Sequence, residues 1–148
     1  MSDLLTTFDI VKSISKALKA AFPEAKIYGE EVKQGLKPPT FTIFSVNTEQ
    51  QTYPSERYLR INPFVIHYFP VSTTKTRAEC AEVAEQMMWT LRYIELEENE
   101  PPLRGTKMHH EFSDDVLHFF VNYDIFLRRV ETTDPMEKLH EEHLLRGD

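Results

Sequence analysis

Residues 116–130 read VLHFFVNYDIFLRRV and alternate at every step. Leu117, Phe119, Val121, Tyr123, Ile125 and Leu127 fall on one side. Val116, His118, Phe120, Asn122, Asp124, Phe126 and Arg128 fall on the other. A period of two, in a run rich in aromatic and β-branched residues and free of Gly and Pro, specifies a β-strand. The first side is wholly apolar and belongs on a core. The second mixes Phe120 and Phe126 with polar groups. Length adds a further constraint. At ~3.3 Å per residue an unbroken strand would span roughly 50 Å, whereas a compact chain of this size is only about 38 Å across. The strand must twist hard, carry a bulge, or project from the domain. A projecting strand needs something to lie against.

The remaining chain supplies partners for this strand. Residues 6–22 are amphipathic: Ile10, Val11, Ile14, Leu18, Ala21 and Phe22 share one helical face, and Lys12, Lys16 and Lys19 the other. Pro23 ends that helix. Strands are expected around 26–28 and over 40–46, separated by a polar turn that Pro38 and Pro39 close. Residues 47–56, NTEQQTYPSE, hold no apolar run. They read as a hairpin loop longer than the usual ~2–5 residues. A third strand covers 57–69, with Asn62-Pro63 marking a bulge or an edge position, and Pro70 stops it.

Thr76 and Glu79 match a capping box, with Thr76 as N-cap and Glu79 at N3. A second helix is expected from there to about residue 93. Its apolar face is Ala81, Ala84, Met87, Met88 and Leu91, with Trp89 at the flank. Glu79, Glu82 and Glu85 place negative charge toward its N-terminal half, as the helix dipole favours. A fourth strand covers 103–112, and Ser113-Asp114-Asp115 turns the chain into the strand at 116–130. The sequence past Glu131 is charged. Asp134-Pro135 has the form of a helix start, but the helix it would open is too short to stand alone.

The expected fold class is therefore α+β: a two-layer α/β domain in the order α-β-β-β-α-β-β, with a mainly antiparallel sheet and both helices on one face. Residues 1–130 are expected to form a single domain, and 131–148 a charged tail with or without its short helix. Two helices cannot cover both sides of so apolar a sheet. The face left over presents Phe120 and Phe126 and, from the third strand, either Tyr58, Phe64, Ile66 and Tyr68 or their alternates. Apolar patches beyond a few hundred Å² rarely stay exposed. Loops of the same chain could cover this one, or other copies could. The candidate contact residues are Phe120, Phe126, Tyr58, Phe64, Tyr53 and Arg128.

Composition and motifs argue against most chemistry. The formal net charge is −7, with no basic stripe of the kind that grips a phosphate backbone. No run approaches the ~20 apolar residues of a membrane span, and the N-terminal apolar residues are spaced helically, unlike a signal peptide. Cys80 is the sole cysteine, which excludes an intrachain disulfide. At helical spacing it groups with Ala84 and Met87, as a buried apolar residue does. His109 and His110 are adjacent and point to opposite sides of a strand. His67 and His118 suit cross-strand neighbours but lack the further ligands of a zinc site. His140-Glu141-Glu142-His143 has the wrong spacing for a zinc protease motif. The expectation is no enzyme, no cofactor and no metal.

Four stretches taken in order resemble one family. They are IYGEEVKQGLKPPTF (27–41), INPFVIHYFP (61–70), LRGTKM (103–108) and DVLHFFVNYDIFLRRV (115–130). Together they resemble the phage tail terminators of tailed phages and prophages of Gram-positive bacteria. The resemblance covers roughly residues 5–130. It implies a small α/β structural protein without catalytic residues, assembled in the bacterial host cytoplasm into the virion tail. It also implies a hexameric ring that caps the tail tube, stops its polymerisation and offers a head-joining surface. The implied partners are other copies, the tail tube protein and a head-completion or connector protein, with DNA passing through unbound. An acidic lumen would let DNA slide, and Glu30, Glu31 and Glu49 are candidates to line it. Two other readings stay open: another neck component, such as a head-completion or stopper protein, and a small binding module outside a virion.

Overall fold

The computed structural model describes residues 5–29, 36–96 and 100–129. The elements are α1 (Thr7–Ala21), β1 (Lys26–Gly29), β2 (Thr40–Ser45), β3 (Glu49–Tyr53), β4 (Arg57–Ile61), β5 (Pro63–Phe69), α2 (Thr76–Thr90), β6 (Tyr93–Ile94), β7 (Leu103–Ser113), β8 (Val116–Tyr123) and β9 (Ile125–Arg128). They form a six-stranded sheet, β1-β2-β5-β8-β7-β6, and a three-stranded sheet, β3-β4-β9. The pairing of β1 with β2 is parallel. The other pairings are antiparallel. The α+β class, the mainly antiparallel sheet and the helices on one face are as the sequence predicts.

The strand expected over 116–130 is broken at Asp124, and the strand expected over 57–69 is broken at Asn62. The two breaks lie side by side. The Asn62 side-chain amide donates to the Tyr123 carbonyl at 3.0 Å, and the Tyr123 N–H donates to the Asn62 carbonyl at 2.9 Å. Below the breaks β5 pairs with β8; beyond them β4 pairs with β9. Both long strands thus leave one sheet and enter the other together. That solves the length problem: roughly 50 Å of strand becomes two shorter pieces in two sheets.

Residues 49–53 are a strand and not part of a loop, which corrects the sequence reading. All five residues of β3 are exposed. A strand held only by pairing with β4 has no apolar side for a sequence pattern to display. The loop that remains is short, with Ser55 and Glu56 at positive φ. At the β7–β8 hairpin Asp114 and Asp115 both have positive φ, 54° and 60°. That is the type I′ turn, whose twist matches the strands it joins.

The core lies between the helices and one face of the large sheet. α1 contributes Ile10, Val11, Ile14 and Leu18, and the sheet contributes Phe41, Ile43, Ile66, Leu117, Phe119, Val121 and Tyr123, all at most 6% exposed. Each fully buried side chain of this size stabilises the fold by about 1.5–3 kcal/mol relative to exposure. From α2 the buried residues are Cys80, Val83, Ala84, Met87 and Leu91. Ala81, expected on that face, is exposed and Val83 is buried in its stead, while Cys80 is buried as its spacing with Ala84 and Met87 predicts. Phe64 also belongs to this core at 1% exposure. The alternation of β5 turns Phe64, Ile66 and Tyr68 toward the helices and Val65, His67 and Phe69 away. Phe64 is therefore not a surface residue, contrary to its expected place among the contact groups.

The helix starts also differ from expectation. The capping box belongs to α1: the Thr6 hydroxyl accepts from the Asp9 N–H, and the Asp9 carboxylate accepts from the Thr6 N–H. For α2 the N-cap is Lys75, without a side-chain cap. Glu79 is used elsewhere. Its carboxylate accepts from the Tyr68 hydroxyl at 2.7 Å and from the Val71 and Ser72 N–H groups at 2.8 Å each. It fastens the β5–α2 loop instead of capping the helix. The far end of α2 is fixed by Tyr123, whose hydroxyl donates to the Leu91 carbonyl at 2.7 Å.

Candidate assembly surface

The face of the large sheet away from the helices carries a continuous set of aromatic and imidazole groups. One cross-strand row runs Phe44, Val65, Phe120, His109; the next runs Thr42, His67, His118, Glu111. Phe44, Val65, His67, Phe69, His118 and Phe120 are each half-buried. His109 stacks on Phe120 at 4.5 Å and 8°. Phe44 lies 5.3 Å from His67, and His67 meets His118 edge-on at 4.5 Å. Burial, and then the charge of His118, hold the His67 imidazole below its ordinary pKa. Among the described residues no group of three or more His, Cys, Asp and Glu side chains is arranged to hold a metal ion.

The small sheet extends this surface. The alternation continues through the break at Asp124: Ile125 is 9% exposed and Leu127 packs on the core, so Phe126 and Arg128 point to the other side. Cross-strand register puts Gln51, Leu59 and Phe126 in one row, and Tyr53, Arg57 and Arg128 in another. Phe126 is 78% exposed and Tyr53 41%. Polar rungs stiffen β3. The Tyr53 hydroxyl donates to Gln51 at 3.1 Å, and the Gln51 amide donates to Glu49 at 3.1 Å.

Of the residues singled out from sequence, Phe120, Phe126, Tyr53 and Arg128 share the side turned away from the helices. Tyr58 pairs with Thr52 and Leu127 on the opposite face of the small sheet. Its hydroxyl donates to the Glu56 carboxylate, a bond that raises the phenol pKa. Glu49 is exposed at the start of β3. Glu30, Glu31 and the proposed helix near 134–144 lie outside the described residues. On the third strand Val65, His67 and Phe69 were legible only as unnamed alternates, while His118 falls on the side of Phe120 and beside His67 without being proposed as a contact. Phe44, the exposed Trp89 at 69% and Tyr93 at 53% are surface groups that the sequence reading did not propose as contacts.

Cys80 and Glu79 are committed to structure. Cys80 is 1% exposed. Burial, with the Glu79 charge as a second cause, pushes its thiol up to about 11, so it stays protonated and unreactive at neutral pH. A groove of about 520 Å³ beside the end of α1 is lined by Phe22, Pro39, Tyr68, Val71 and Glu79. Its only carboxylate besides the rim residue Glu24 is the one that already accepts three hydrogen bonds. No helix among the described residues is long and apolar enough to cross a membrane.

The class that fold and surface define is a small α+β protein whose conspicuous feature is a broad aromatic surface. A family model for phage tail terminator proteins matches residues 9–135. The chain belongs to the phage tail terminator family and so is a virion tail component. No curated protein matches it. A solved structure that bears a sequence identifier as its name is similar over 87% of this chain and 99% of its own, at 10% identity and a TM-score of 0.40.

Proposed function

We propose that the chain caps the phage tail tube as a ring, six copies in the assembled state, and so ends tube polymerisation. The ring then presents the surface on which a head-completion or connector protein docks, and DNA passes through it without specific binding. One observation carries this reading beyond family membership: the sheet is lopsided. The helices cover one face, while the other leaves Phe120 half-buried and Phe126 78% exposed. A ring is closed by a patch of each subunit meeting a different patch of the next, and the uncovered face supplies one such patch. Phe120, Phe126, Tyr53 and Arg128 are its proposed contact residues. Residues 1–130 are proposed as the ring-building unit and 131–148 as an appended tail.

The lumen is proposed to be acidic, with Glu49, Glu30 and Glu31 toward it, so that like charge keeps the genome from adhering. Reversal of these three to Lys is expected to trap DNA in particles; unchanged infectivity with no retained DNA argues against it.

The experiment for the capping role is electron microscopy of lysates from a phage that lacks this protein. Overlong, headless tails are expected. Tails of normal length that carry heads would remove the proposal. A stopper protein behaves differently in the same assay: its loss leaves tails of correct length that are unjoined.

A further inference from the structure

We infer that the second patch of the subunit contact is the outer stripe of α2. In this arrangement the small sheet of one copy rests, head to tail, on α2 of the next. The inference builds on the ring reading and adds the identity of both surfaces.

The first surface is the outward side of the small sheet. Leu59 and Phe126 form its apolar centre, and Arg57 pairs with Arg128 at one end. Arg57 and Arg128 share this outward side with Phe126, whereas Arg60 pairs with Ile125 on the core side. Glu49 lies at the far end of β3, and the Glu56 carboxylate beside Arg57 accepts from the Tyr58 hydroxyl, whose residue belongs to the opposite face.

The second surface is on α2. Its buried side is Cys80, Val83, Ala84 and Met87. Its solvent side carries Glu82, Glu85 and Trp89, spaced three and four residues apart, so they form one stripe. Trp89 is 69% exposed, next to Phe126 among the large hydrophobics of the described residues, and Arg92 lies over its ring at 5.3 Å. An exposed tryptophan beside two carboxylates is the counterpart of an exposed phenylalanine beside two guanidiniums. Aromatic and arginine side chains are the groups that most often anchor protein interfaces.

The two surfaces point in opposite directions. Ile125 and Leu127 turn toward the core and Phe126 turns away from it, while α2 packs its buried side on β7 and β8 and leaves Glu82, Glu85 and Trp89 outermost. A head-to-tail contact needs two different patches on opposed sides of one molecule. These two meet that requirement, and their charges are opposite in sign.

A charge exchange tests this, with purified tail tubes and the full-length protein. Arg57→Glu with Arg128→Glu is one variant, Glu82→Arg with Glu85→Arg the second, and all four changes together the third. Capping is counted by electron microscopy, and folding is checked by circular dichroism melting. Each double variant is expected to cap at least tenfold fewer tube ends than wild type while melting normally. The fourfold variant is expected to recover to within a few-fold. Double variants that cap normally, or a fourfold variant no better than either double, would overturn the inference. If a double variant does not fold, Trp89→Ala and Phe126→Ala replace it, and normal capping by both is the overturning result. Wild-type protein that fails to cap tubes sinks the functional reading itself, an outcome distinct from the others.

Discussion

The two halves of the strand that begins at Val116 can be compared directly. β8 lies at the centre of the large sheet, with Leu117, Phe119, Val121 and Tyr123 at 0–1% exposure. β9, one residue further on, carries Ile125 at 9% and Phe126 at 78%. The alternation of residue types is the same in both. What differs is the cover: α2 packs on β8, which also has β5 and β7 on either side and His109 stacked on Phe120, whereas β9 is the edge of a three-stranded sheet. Within β8 an aromatic ring on the covered side holds the fold together, and one on the open side is half-buried. Within β9 the open-side ring has almost no intramolecular cover. The comparison separates residues that this chain needs in order to fold from residues it carries for contact with something else.

Substitution at the two ends of that comparison should give its largest contrast. Phe119→Ala is expected to cost about 3–5 kcal/mol in urea denaturation, from lost burial and the cavity left behind. Phe126→Ala is expected to change stability by no more than about 0.5 kcal/mol, as exposed positions do, while weakening tube capping. Equal destabilisation by both would erase the distinction.

A smaller effect sharpens the boundary between β7 and α2. A Cβ at Gly105 would come 2.6 Å from the Leu91 carbonyl oxygen, 2.9 Å from Met108 and 3.0 Å from Val121. The same Gly105 donates its N–H to the Arg92 carbonyl at 2.8 Å. Gly105→Ala is expected to cost about 1–3 kcal/mol by overpacking, read as a lower urea midpoint. A neutral result would mean that the end of α2 shifts freely, and would loosen its link to the Tyr123 hydroxyl.

The smallest effect concerns pH, on the covered side only. Burial pushes the Glu79 carboxyl up, but hydrogen bonds from Tyr68, Ser72 and Val71 outweigh it and hold the group below its ordinary 4.5. A folded-state pKa below the unfolded one stabilises the fold above about 4.5, and that contribution fades as pH falls through the lower folded value. Glu79→Gln is therefore expected to be less stable than wild type by about 1 kcal/mol at pH 7, one hydrogen bond's worth. The gap should close in melts taken progressively below pH 4.5. A gap that stays constant with pH would mean that the three donors do not depend on the charge.

Much of the covered half was legible in the sequence. The period-two run placed Phe119, Val121 and Tyr123 on a core, and helical spacing found the buried face of α1. The breaks at Asn62 and Asp124 were legible only as a length that did not fit, because a switch between sheets interrupts pairing without interrupting alternation. β3 was missed because EQQTY has no apolar side; its hydrogen bonds to β4 hold it. The capping box was assigned to Thr76 because Glu79 has the right spacing. The Tyr68 hydroxyl and two loop N–H groups claim that carboxylate, and no local pattern records a long-range competitor. Phe64 was placed on the surface because two registers of the third strand were equally apolar. Burial of Phe64, Ile66 and Tyr68 in the core, with the Phe64 ring 6.2 Å from that of Tyr123, chooses between them. The surface itself was read as a type of residue set, and the structure supplied its membership: Val65, His67 and Phe69 joined Phe120 and His118, which the alternation already puts on that side.

Hydroxyl-radical footprinting of the protein free and bound to tail tubes tests the central claim, that the uncovered face is completed by neighbouring copies. Phe126 and Tyr53 are expected to label strongly in the free protein and to be protected several-fold on capped tubes, while Phe119 stays silent in both. Labelling of Phe126 that is the same on capped tubes as in free protein would contradict the account.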